Sequence, residues 1–401
     1  MSDTRPAWAY TLPAALLLMA PFDILASLAM DIYLPVVPAM PGILHTTPSV
    51  IQLTLSLYMV MLGLGQVIFG PLSDHIGRRP VLLAGATAFV VASLGAACSQ
   101  TAFAFLAFRL LQATGASAML VATFATVRDV YADRPEGVVI YGLFSSMLAF
   151  VPALGPIAGA LIGNLLGWRA IFATLAALAV PALLNAALRW RETRPTDRTR
   201  PHRSVLPIFT SPGFWVYTLA FSAGMGSFFV FFSTAPRVLI GQAGYSRIGF
   251  SLAFATVALA MIATTRFAKG FVARWGIAGC VARGMALLVT GAALLAVGQL
   301  AGSPSFLSFI VPMWVMAAGI VLTVSVTANG ALAEFDDIAG SAVAFYFCIQ
   351  SLVVSIAGTL AVTCLDGDTA WPVIAYATTM AVLVSAGLAL LRRLERPDAA
   401  P

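Results

Sequence analysis

Asp23, Asp31 and Arg109 are ionisable side chains that stand inside apolar runs of this chain. Asp23 sits near the middle of the stretch Ala14 to Pro35. Asp31 follows two turns later, just before Ile32-Tyr33-Leu34-Pro35. A charged group at mid-bilayer costs about 2.5–3.5 kcal/mol on insertion scales, so such residues need partners and mark ion or proton pathways. Asp23 lies eight residues or so from the outer end of the first apolar run, and Arg109 lies as far past the outer start of the fourth. At about 1.5 Å per residue both fall roughly 12 Å below the outer surface. Equal depth and opposite charge predict an Asp23–Arg109 pair. Burial and a nearby cation act on a carboxyl group in opposite directions, so small changes in hydration can switch its protonation. A purely structural ion pair is the plain alternative. Asp31 lies nearer the interface, where a capping role and proton handling both stay open.

The elements that must position these residues are membrane spans. The chain has 401 residues, 60% of them hydrophobic and only 9% charged, against about 25% charged in a soluble protein. Apolar runs of spanning length fall near 11–33, 49–70, 80–99, 102–124, 138–163, 167–189, 213–235, 247–268, 278–299, 305–328, 339–362 and 370–392. The fold class is therefore an all-α membrane protein of twelve transmembrane helices. They form two six-helix bundles, 1–189 and 213–401, joined by a basic linker, 190–212. The first run is read as a retained helix and not as a cleaved leader. With the N-terminus inside, 17 of the 22 Lys and Arg fall on the cytoplasmic side, which is the positive-inside pattern with both termini cytoplasmic. The linker arginines, Arg191, Arg194, Arg198, Arg200 and Arg203, are read chiefly as a topology anchor. This distribution also removes nucleic acid as a partner for the net charge of +6. The acids of Glu334-Phe335-Asp336-Asp337 suit the positive end of the eleventh helix.

Cys98, Cys280, Cys348 and Cys364 have neither metal nor disulfide spacing. His45, His75 and His202 are far apart, and no acid–base constellation accompanies them. No metal, cofactor or enzymatic activity is expected.

Between the second and third spans the chain reads Gly70-Pro71-Leu72-Ser73-Asp74-His75-Ile76-Gly77-Arg78-Arg79-Pro80. It is a tight turn holding one acid and two arginines within a few residues. It resembles the cytoplasmic loop motif of the major facilitator superfamily, although His75 stands where a basic residue is usual. The resemblance implies a gating loop in which Asp74 faces the start of the eleventh helix and Arg78 pairs with an acid ending the fourth, here Asp129. A solvated loop that only sets topology is the bland alternative. In the fourth span, Arg109, Gln112 and Gly115 match the motif of proton-coupled members, with Ala113 in place of a frequent Gly. In the fifth, Gly155-Pro156 and Gly159 resemble the motif that marks exporters within the superfamily, with Val151 and Ala160 departing from it. Prolines bend a helix, and the four-residue spacing of Gly155, Gly159 and Gly163 lets another helix approach. Asp31 with Tyr33-Leu34-Pro35 resembles the first-helix motif of twelve-helix drug/proton antiporters.

The blocks Arg5 to Pro13, Met30 to Pro35, Gly137 to Gly142 and Ala331 to Asp337 are similar to the bacterial phenicol exporters of this superfamily. That similarity implies efflux of chloramphenicol and florfenicol, and hence antibiotic resistance, by a proton-coupled, multi-pass protein of the bacterial inner membrane, read as a monomer. Its expected partners are the drug, protons and the lipid bilayer. A small amphipathic drug needs an apolar, aromatic pocket with few polar groups. Phe22, Asp23, Tyr58, Met147, Met225, Phe228 and Phe345 are the candidate lining, although each of the apolar ones could be plain helix packing. The alternative is a proton-coupled transporter of another small solute, including an importer on the same fold, which should lack the Gly155-Pro156 arrangement.

Overall fold

The computed structural model describes residues 8, 10–131, 134–194, 204–335 and 338–394. Six long helices precede the linker: α1 Leu12–Asp31, α2 Pro48–Ile76, α3 Arg78–Cys98, α4 Ala102–Tyr131, α5 Pro135–Leu165 and α6 Trp168–Arg189. After it come α7 Pro212–Pro236 and then one helical stretch of 54 residues, Arg247–Leu300. A straight helix of that length would be about 80 Å long, against a hydrocarbon core of about 30 Å. Gly276 breaks it, with φ 66° and ψ −178°, a conformation open essentially to glycine alone. The two parts, α8 (247–275) and α9 (277–300), are separate spans. The set closes with α10 Val311–Leu332, α11 Ala339–Cys364 and α12 Trp371–Leu394.

Local sequence explains several starts. Thr47, Ser211 and Ser246 are N-caps whose side chains accept from the backbone N–H of Val50, Phe214 and Gly249. The prolines at 48 and 212 follow at the first helical position, where no donor is missed. The end of α1 is less regular. Pro35 and Pro38 fall in a 3₁₀ segment, Leu34–Ala39, followed by one α turn, Met40–Ile43. The first apolar span therefore runs Leu12–Ile43, ten residues beyond the end at 33 expected from hydropathy.

The chain divides into two compact units, Met1–Pro201 and His202–Pro401. In the first, α4 packs against α1, α2, α3 and α5, so its side chains are enclosed by protein. In the second, α7 holds the matching place against α10, α11 and α12. Each unit contains a pair of helices in backbone contact through glycine. A Cβ on Gly115 would lie 2.5 Å from the Gly85 carbonyl oxygen of α3, and one on Gly284 of α9 would lie 2.8 Å from that of Gly319 in α10. Such close approach is how helices associate where no hydrophobic force separates lipid from protein.

Candidate functional site

The centre of the first unit is Arg109, 1% exposed. The backbone ladder of α1 closes with the Ile32 N–H on the Leu28 carbonyl at 2.9 Å, which leaves the next carbonyl, Ala29, over. Arg109 Nη1 donates to it at 2.9 Å and to Gln112 Oε1 at 2.6 Å. A cation at a helix C-terminus meets the negative end of the helix dipole. Gln112 Nε2 donates to Ser93 Oγ at 2.7 Å, and Ser93 donates to the Phe89 carbonyl. The guanidinium carbon lies 4.7 Å from the Tyr58 ring centroid, 5.3 Å from Tyr33 and 5.7 Å from Phe172, close enough for cation–π attraction. Nε and Nη2 are buried and have no hydrogen-bond partner among the described residues. This is a desolvated cation with two donors open to an incoming acceptor.

The expected Asp23–Arg109 pair is not formed. Asp23 is buried at 2% exposure on α1, but no ion pair joins it to Arg109 among the described residues. The reason is the length of the first span. Because the chain continues through Leu34–Ala39 and Met40–Ile43, Arg109 meets α1 at Ala29, six residues or about 9 Å further along than Asp23. The acid on the segment Arg109 touches is Asp31, which lies between Ala29 and Tyr33 and is 6% exposed.

Asp31 also lies against the fifth helix. A Cβ on Gly155 would sit 2.9 Å from the Asp31 Cβ, and one on Gly159 would lie within 2 Å of the Ile32 carbonyl oxygen. The two glycines thus admit the end of α1 to the surface of α5, and Pro156 lies between them inside that helix. Tyr58 is fully buried, and its hydroxyl donates to the Ala26 carbonyl at 2.7 Å. Phe22 meets Trp190 edge-on at 5.9 Å between centroids. Phe228 belongs to an aromatic cluster with Phe231, Phe232 and Phe254. Phe345 packs on Phe209 at 4.9 Å. Met147 and Met225 are half-buried on α5 and α7. Phe22, Tyr58 and Met147 belong to the first unit, and Met225, Phe228 and Phe345 to the second.

The turn between α2 and α3 is built around Arg78, which is 2% exposed. Its Nε donates to Asp129 Oδ2 of α4 at 2.8 Å, its Nη2 pairs with Asp74 Oδ1 at 2.5 Å, and its Nη1 donates to Ser73 Oγ at 2.7 Å. The Gly70 carbonyl accepts the Ser73 hydroxyl. Gly77 carries φ 115° and ψ 155°, so it both ends α2 and starts α3. One residue of this site escaped the sequence reading. Glu192, in the linker, accepts the backbone N–H of Arg78 at 2.8 Å and of Arg79 at 3.2 Å, two of the amides that every helix leaves unpaired at its start. It also accepts from the N–H groups of Thr193 and Arg194. Partial burial of its carboxyl opposes ionisation, but these four amides outweigh it and hold its pKa below the ordinary glutamate value. Arg194 donates to the His75 carbonyl, and Arg79 to that of Ala187 at 2.8 Å. The start of the linker is therefore stapled to the turn.

Comparison with known proteins agrees with this architecture. The chain is 51% identical over 397 residues to a chloramphenicol resistance protein of Pseudomonas aeruginosa, covering 98% of this chain and 94% of that one. It is 28% identical over 323 residues to the multidrug resistance protein MdtL of Escherichia fergusonii, covering 78% and 79%. The crystal structure of a D-xylose-proton symporter superposes with a TM-score of 0.75 over 93% of this chain and 97% of that one, at 14% identity, a likeness of fold alone. A family model described as Major Facilitator Superfamily matches residues 22–359. With twelve spans in two units and a model match over most of its length, the chain belongs to the Major Facilitator Superfamily.

Proposed function

We propose that the chain exports phenicol antibiotics, chloramphenicol and florfenicol, by alternating access, driven by protons moving inward across a bacterial inner membrane. Both termini and the linker face the cytoplasm, as the loop arginines favour. The protein acts as a transporter without catalytic chemistry or a cofactor. The substrate class rests on full-length similarity to a protein named for chloramphenicol resistance. The observation that carries proton coupling is a buried arginine with two open donors, fixed to the segment of α1 that bears a buried acid. Ionised, Asp31 or Asp23 is attracted to the guanidinium across a medium of low dielectric. Protonated, either loses that attraction, and the cost of carrying a charge through the closed state falls. Asp31 takes the larger part in this scheme, because it lies two residues from the Arg109 anchor, while Asp23 serves further along the same helix. Gly155 and Gly159 keep the Asp31 segment seated on α5, so rearrangement of either helix is felt at the acid.

The test is drug accumulation in cells producing the wild type, Asp31→Asn or Asp23→Asn, with and without an uncoupler. The expected result is low accumulation in the wild type that rises on uncoupling, and high accumulation in Asp31→Asn from the start. Wild-type accumulation indifferent to uncoupler would sink proton coupling. Accumulation raised above that of cells lacking the protein would turn the reading to an importer.

A further inference from the structure

The second unit carries a patch outside the site described above. The last three turns or so of α8 read Arg266-Phe267-Ala268-Lys269-Gly270-Phe271-Val272-Ala273-Arg274-Trp275, ending at Gly276. At 100° per residue, Phe267, Phe271 and Trp275 form one ladder at i, i+4 and i+8; Arg274 lies beside it, about 20° from Phe267, and Arg266 and Lys269 lie further round the helix, about 100° and 160° from Phe267. The ladder is formed in the structure. Phe271 and Trp275 stack with centroids 4.9 Å apart and planes 3° from parallel, and Phe267 joins Phe271 at 6.5 Å. Phe267 is 64% exposed, and Arg266, Lys269 and Arg274 are exposed. Beyond the break, Arg283 of α9 folds back. Its guanidinium carbon lies 4.5 Å from the Trp275 ring, and Nη1 donates to the Gly279 carbonyl at 3.2 Å.

An exposed arginine on a span is costly unless it reaches the interface and finds a counter-charge. This chain offers none nearby in sequence: residues 204–333 contain no Asp or Glu. Among the described residues, none of the four bases is in an ion pair. Of the elements packed against this stretch, α12 adds only Arg392 and Arg393 in its last turn. The acid after α10, Glu334, accepts the Ser211 hydroxyl. Aromatic rings at headgroup level with clustered bases beside them match a negatively charged lipid.

We propose that Arg266, Lys269, Arg274 and Arg283, backed by the Phe271–Trp275 stack, bind the phosphate of an anionic phospholipid in the leaflet that borders the α8–α9 turn. The probe is phosphatidylglycerol, with phosphatidylcholine as the neutral reference, added to the purified full-length protein in mild detergent and read by native mass spectrometry. The wild type should retain phosphatidylglycerol, and the variant with all four bases changed to Ala should retain at least about tenfold less, since each base near the surface contributes about 1 kcal/mol and four together allow up to several hundred-fold. Phosphatidylcholine should be unchanged. A variant with the three arginines changed to Lys keeps the charge and should keep most of the lipid. The Arg392→Ala/Arg393→Ala variant should retain phosphatidylglycerol at the wild-type level. Equal phosphatidylglycerol in the wild type and the four-Ala variant would overturn the site. So would an equal loss in the Arg392→Ala/Arg393→Ala variant, which would mean that net charge alone recruits the lipid. The readout is binding and does not depend on the transported substrate.

Discussion

The two units turn the chain at the same place, after their second span, and they secure the turn by opposite means. Both rely on a glycine outside the range of other residues, Gly77 at φ 115° and Gly276 at φ 66°. At Gly77 every neighbouring charge is consumed within the protein. Arg78 holds Asp74 and Asp129, and Glu192 closes the start of α3. At Gly276 the arginines point outward beside an aromatic stack, without carboxylate partners among the described residues. One sequence pattern, glycine among bases between two spans, thus yields a lock where acids are within reach and an exposed cationic surface where they are not. The difference lies in acids supplied from far along the chain, since Asp129 and Glu192 are 51 and 114 residues from Arg78.

The largest expected effect of breaking this asymmetry is at Asp129. It is 6% exposed and shares the buried Arg78. Removing it leaves the buried Arg78 with Asp74 and Ser73 alone, and the loss of a hydrogen bond between charged groups costs about 1.5–3 kcal/mol. Asp129→Ala should lower the apparent unfolding temperature in detergent by several degrees, while Arg274→Ala in the second unit should leave it unchanged. Equal shifts would show that the Arg78 network is not the lock described here. Gly77→Ala comes next. Both glycines, changed to Ala, incur backbone strain of about 1–3 kcal/mol. A Cβ at 77 would in addition lie within 2.5 Å of Glu192 Oε2, whereas one at 276 meets nothing within 4 Å. Gly77→Ala should therefore be the more destabilising, and a Glu192→Ala background should narrow the gap. A gap that survives in that background would locate the excess elsewhere than the carboxylate.

Hydropathy and length were enough to mark out the twelve spans, because a helix that crosses lipid must satisfy its backbone internally and be apolar for its whole length. The break at Gly276 lay in the polar gap left between the eighth and ninth runs. The Arg78–Asp129 contact could be named because both residues sit in recognisable motifs. Depth arithmetic failed at Asp23 for a local reason: hydropathy ends the first apolar run near 33, yet the chain goes on as a 3₁₀ segment, Leu34–Ala39, and each residue of error moves the register by 1.5 Å or more. Glu192 could not be seen at all. Glu192 and Asp197 in an arginine-rich linker look like part of a topology signal, and only the fold shows that Glu192 meets two open amides of α3. Phe172 was equally silent, and Tyr33 stood out only as part of a motif, since an aromatic residue in a span is ordinarily packing and becomes a cation's wall only when another helix presents one.

The smallest effect, and the sharpest test of the lock, is the pH dependence of Glu192. Its folded pKa lies below the ordinary glutamate value of 4.5, so the unfolded chain binds its proton first as pH falls. Stability from this group is fully present above about pH 4.5 and is lost as pH drops through the folded value. Solvent screening and the reach of a helix dipole limit the contribution to about 0.3–1 kcal/mol. Glu192→Gln keeps the shape and one acceptor oxygen but removes the charge, so it should flatten the acid limb of the stability curve by lowering the neutral plateau by that same about 0.3–1 kcal/mol. If Glu192→Gln keeps the wild-type acid limb, the carboxylate is not what holds the start of α3. If it flattens the limb, the first unit's turn is locked by a linker charge.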